Sequence, residues 1–144
     1  MVSAAVLYTP EVLALATGLA RYRLDDALTE RAEARSRSCG STLVLGLDFD
    51  EAGRVCRVGL RSQACAIGQA SAAIFAQAAE GRNVGEIVAA AQAVALWLAG
   101  EGPLPEWPGF AILAPARDYP GRHGALMLPW TAALQLLSSS DRGG

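Results

Sequence analysis

The chain has 144 residues, enough for one domain with a real core, and 52% of them are hydrophobic. A net charge of −2 leaves no surplus of Lys and Arg for a phosphate backbone, so nucleic-acid binding is not expected. Three cysteines cannot close a complete disulfide framework within one chain. The N-terminus lacks a basic start and a small-residue cleavage site, and the longest apolar run, Ile87 to Ala99, is interrupted by Gln92 and too short to cross a bilayer. The expectation is a cytoplasmic chain, off the membrane, in which paired thiols mean metal or redox chemistry rather than cross-links.

In chain order, Thr9, Pro10 and Glu11 read as N-cap, first turn and dipole partner of an amphipathic helix carrying Val12, Leu13, Leu15, Ala16, Leu19 and Ala20. The segment Asp25 to Arg37 interleaves Arg31, Arg35 and Arg37 with Glu30 and Glu33, and its second half reads as a solvated edge strand. Leu43, Leu45, Leu47 and Phe49 alternate on one face of the clearest strand. Gly53 marks a hairpin turn, and the returning strand puts Cys56, Val58 and Leu60 on one side. On that parity Cys56 should be a small buried hydrophobe. Asp48 and Asp50 read as hairpin solvation rather than a catalytic pair.

The cover for this sheet follows as helices: Cys65 to Ala79, Asn83 to about Gly100, and a final helix around Pro129, where a kink or a late start is expected. Pro103 to His123 should be turns around a helical piece, Trp97, Trp107 and Trp130 should be core or anchors, and "DRGG" a frayed tail. The fold class is therefore α+β, a three-stranded antiparallel sheet packed against several helices, in one domain over residues 1–144.

Cys39 precedes one strand of the hairpin and Cys65 follows the other, so antiparallel pairing returns both to the same end of the sheet. Cys65 also opens a helix, where free N–H groups and aligned peptide dipoles favour a thiolate. If the last helix packs beside the sheet, His123 reaches the same end, and two thiolates with an imidazole suit zinc or iron.

At this point the residues resemble a known family. "CGS" leading into a strand, a Gly-turn hairpin, "QACAIGQASAAIFAQAAEGRNVGEI" and "YPGRHGALMLPW" are similar to the U-type iron–sulfur cluster assembly scaffolds (IscU, SufU and the N-terminal domain of NifU) from about Arg31 to about Leu137. The chain departs from the family's pattern at Ser41, where the family has an aspartate, and at Ala125, where it has a third cysteine. His123 lies one residue off the family's histidine position. The resemblance implies a SufE/NifU-like fold and a carrier rather than an enzyme. It implies an iron–sulfur cluster or iron as transient cargo on Cys39 and Cys65, with His123 as a further metal ligand. The implied partners are a cysteine desulfurase and client apoproteins, and the chain should be a monomer or weak dimer. The other reading kept open is a degenerate homologue, a zinc-stabilised or regulatory module acting on the desulfurase.

Overall fold

The computed structural model describes residues 7–28, 30–37 and 40–143, with side chains through residue 138. Helix α1 (Pro10–Gly18) starts where the capping pattern places it, with Thr9 Oγ1 accepting from the Val12 amide at 3.2 Å. It is shorter than its apolar pattern. Gly18 ends it, and the stretch Leu19–Arg21 tightens into a 3-10 turn.

Strands β1 (Glu30–Arg35), β2 (Thr42–Phe49) and β3 (Val55–Gln63) form an antiparallel sheet in the order β1-β2-β3. Leu43, Leu45 and Leu47 are fully buried on the inner face, as their alternation requires. The β2–β3 turn is held by Asp50, whose Oδ1 accepts from the Ala52 and Arg54 amides at 2.9 and 3.0 Å, and by Gly53 at φ 79°. That is the local solvating role expected of this carboxylate.

The parity of β3 differs from the alternation in its sequence. Leu47 faces Val58 and Asp48 faces Arg57, yet Phe49 faces Val55, so Cys56 is the extra residue of a β-bulge. The bulge turns Val55 inward and leaves Cys56 exposed, not buried as expected.

The outer face of the sheet is also covered, which the strands' alternation does not reveal. After the 3-10 turn the chain runs along β3, with the Leu60 amide donating to the Tyr22 carbonyl at 2.7 Å, and then crosses toward β1. Leu24 and Leu28 lie on Gly46 and Gly59, where a Cβ would fall 2.9 Å from Leu24 Cδ1 and 2.4 Å from Leu28 Cδ1 respectively. Glycine in mid-strand is explained by this close approach. Asp25 anchors the crossing through an ion pair to Arg57 at 2.6 Å.

Helices α2 (Ala66–Ala79) and α4 (His123–Gly143) cover the sheet and pack on each other, and α3 (Val84–Leu98) packs on α4. Asn83 and Glu86 close a capping box at the start of α3. The proline-rich stretch between α3 and α4 carries two 3-10 segments, Phe110–Asp118 and Pro120–Arg122. Helix α4 starts six residues before Pro129 and runs to Gly143, so neither the late start nor the frayed tail at Asp141 is what the backbone adopts. All three tryptophans are core: Trp130 sits edge-on to Phe75 at 5.2 Å and to Trp107 at 5.0 Å, and Trp97 edge-on to Phe110 at 5.3 Å.

Candidate functional site

Three backbone features converge at one end of the sheet. Arg35 faces Thr42 and Thr42 faces Gln63, so the β1–β2 connection and the exit of β3 share that end. The connection is closed by the Ser36 amide donating to the Ser41 carbonyl at 2.8 Å and the Gly40 amide donating to the Ser36 carbonyl at 3.1 Å. Gly40 adopts φ 71°, a conformation that explains the glycine after the cysteine. Cys39 itself lies outside the described residues. Ser41, the residue after Gly40, is buried.

Two residues past Gln63, Cys65 is the N-cap of α2, a half-buried free thiol whose side chain makes no capping hydrogen bond. The sulfur is therefore not committed to the helix it caps. Contacts between α2 and α4 advance together: Gly68 lies against Ala125, Ser71 reaches Leu126 and Trp130, and Phe75 meets Trp130. The two helices run side by side in the same direction. Both positive dipole ends thus point to the end where β3 exits, an arrangement that favours an anionic group there.

His123 opens α4. Its Nε2–H donates to the Arg117 carbonyl at 2.8 Å, which leaves Nδ1 as the nitrogen able to bind a metal. A backbone carbonyl fixing the tautomer in this way is the common second partner of a ligating imidazole. Immediately before it, Arg122 Nε is buried without a hydrogen-bond partner among the described residues. Sequence reasoning passed over this donor, whose only trace is the basic residue preceding His123. Among the described residues no three His, Cys, Asp or Glu side chains cluster closely enough to hold a metal ion. A closed zinc site of that kind is not found there.

Ala125 is fully buried. A Cβ on Gly68 would lie 3.2 Å from Ala125 Cβ and 3.3 Å from its carbonyl oxygen, so position 125 faces the first turn of the helix that Cys65 caps.

The solved structure of a nitrogen-fixing NifU-like protein (N-terminal) from Brucella abortus superimposes with a TM-score of 0.88 at 28% identity, over 98% of this chain and 99% of that one. The chain is similar to the U-type scaffolds. The fold is shared with a further U-type structure, assigned as the iron–sulfur cluster assembly scaffold protein for the SUF system of Fervidobacterium islandicum AW-1, at TM-score 0.83 and 19% identity over 92% of this chain and 98% of that one. It is shared too with a hypothetical protein at TM-score 0.73 and 23% identity, over 88% and 96% of the two chains. No protein-family model matches this chain, and no curated protein does either. The α+β fold with its three-stranded antiparallel sheet is that of the U-type scaffolds. No helix among the described residues is long and apolar enough to cross a membrane.

Proposed function

We propose that this chain is an iron–sulfur cluster assembly scaffold or carrier, one domain over residues 1–144, with Cys39 and Cys65 as thiolate ligands of the cargo and His123 as a third ligand through Nδ1. The observation that carries the reading is the uncommitted Cys65 thiol at the N-terminus of α2, beside the start of α4, at the end of the sheet where the β1–β2 connection turns. Arg122 supplies a donor for an anionic cargo at the same end. Soft thiolates hold iron, and the paired helix N-termini offset the negative charge of a thiolate-bound cluster.

Ala125 and Ser41 contribute no thiolate and no carboxylate, so a tetrahedral iron keeps an open position. An open position suits cargo that a client thiol displaces better than a closed structural site does. Sulfur would come from a cysteine desulfurase and the cluster would leave to an apoprotein, the partners that the resemblance implies.

The test is anaerobic reconstitution with iron and sulfide, followed by visible absorption and metal analysis. The expected result is weak or substoichiometric cargo, abolished by Cys39→Ser or Cys65→Ser, reduced less by His123→Ala and unchanged by Cys56→Ser. A tightly held metal surviving replacement of both Cys39 and Cys65 overturns the ligand assignment. A chain that takes up neither iron nor cluster, yet still binds the desulfurase, is an interaction module instead.

A further inference from the structure

Strand β1 ends the sheet, with no strand or isolated bridge on its outer edge among the described residues. Open edges invite pairing with another strand, and charged side chains normally discourage it. Here the charges follow a pattern. Arg31, Glu33 and Arg35 are exposed on the outer face, while Ala32 and Ala34 turn toward the helices, half-buried and buried.

We infer that β1 is a homodimerisation edge, pairing antiparallel with β1 of a second copy in the register that sets Ala32 opposite itself. A two-fold axis perpendicular to the sheet keeps the inner faces of both copies on the same side. Facing residues must then share parity, which leaves few registers. With Ala32 on the axis, Arg31 faces Glu33 of the second copy, and the pair occurs twice. With Arg31 on the axis, arginine faces arginine. With Glu33 on the axis, glutamate faces glutamate and Arg31 faces Arg35. With Ala34 on the axis, Glu33 gains Arg35 but Arg31 faces Arg37 and fewer strand residues pair. Opposite charges directly across a ladder stabilise it and like charges destabilise it, so the Ala32-centred register is selected.

Arg31 is also held in position within its own chain, its Nε and Nη2 donating to the carbonyls of Leu28 and Asp25 at 2.6 and 2.5 Å. The guanidinium is thereby oriented before the second copy arrives, with Nη1 left for Glu33. The intrachain competitor for that carboxylate, Arg35, stands at 3.9 Å between exposed groups and is weak. Antiparallel pairing places the two candidate sites at opposite ends of the joined sheet, so association closes neither.

Sedimentation of the full chain from low micromolar to near-millimolar concentration tests this. The expected behaviour is a monomer–dimer equilibrium that weakens with added salt. Glu33→Arg should weaken association about ten-fold or more, because both charge pairs become repulsive. The double reversal Arg31→Glu with Glu33→Arg should restore it, since the pairs re-form with their signs exchanged. A parent chain that stays monomeric throughout at low salt overturns the inference. So does Glu33→Arg associating like the parent, or a double variant that melts like the parent and stays monomeric.

Discussion

Gly68 and Ala125 meet where α2 and α4 begin, and the absent Cβ of one leaves the space into which the other faces. A methyl on Gly68 would fall 2.8 Å from Ala64 Cβ and 3.2 Å from Ala125 Cβ. Gly68→Ala should therefore destabilise the fold by about 1–3 kcal/mol, outweighing the roughly 1 kcal/mol gained in helix propensity. Chemical denaturation measures the difference. Ala125→Cys, with Gly68 kept, should restore a thiolate beside Cys65 and raise retention of reconstituted cluster about ten-fold or more. Unchanged retention in a folded Ala125→Cys protein would remove position 125 from the site.

A buried polar chain locks α2 to α4 one turn further on. Trp130 Nε1–H donates to Ser71 Oγ at 3.2 Å, and the Ser71 hydroxyl donates to the Leu126 carbonyl at 2.6 Å. Ser71→Ala strips the indole of its acceptor in a site with no water access, at a cost of about 1–3 kcal/mol. Urea unfolding of Ser71→Ala against Ser71→Cys, which keeps a weak acceptor, should rank alanine as the less stable.

The two mid-strand glycines should differ in tolerance. A Cβ on Gly59 meets the Arg23 carbonyl at 2.7 Å and Leu28 Cδ1 at 2.4 Å, whereas a Cβ on Gly46 meets only leucine side chains, the nearest at 2.9 Å. Backbone cannot swing aside as a leucine methyl can. Gly59→Ala should cost about 3 kcal/mol and Gly46→Ala nearer 1 kcal/mol, and their thermal midpoints should fall in that order.

Asp25 links stability to pH. The Ala27 amide donating to its carboxylate holds its pKa below the ordinary carboxylate value, with the Arg57 guanidinium helping against the opposing effect of desolvation. A pKa lower in the folded than in the unfolded chain means a contribution that is present above the unfolded value and lost as pH falls through the folded one. The midpoint difference between the parent and Asp25→Asn should be constant above about pH 5 and shrink steadily below about pH 4. The ion pair is exposed, so the difference should be small and should also fall with salt. A difference that grows on acidification would contradict the sign.

What the sequence determined by itself is local. Thr9 before Pro10, Asn83 three residues before Glu86, Gly53 in the hairpin and Gly40 after the cysteine each satisfy backbone demands set by neighbours a few positions away, and each appears where its pattern places it. The leucine alternation from Leu43 to Leu47 fixed a sheet with a buried inner face, because a period of two admits only one face inward. Cys56 escaped this logic. Its parity was set by where β3 loses step with β2, and a bulge is a property of the pair of strands, not of either one. The glycines at 46 and 59 were visible but uninterpretable until Leu24 and Leu28 were found lying on them. The convergence of the Cys65 and His123 helix starts was likewise undecided by spacing. It depends on α2 and α4 running in the same direction, and that direction is imposed by the Gly68–Ala125 contact and the Ser71–Trp130 bond, made between residues more than fifty positions apart.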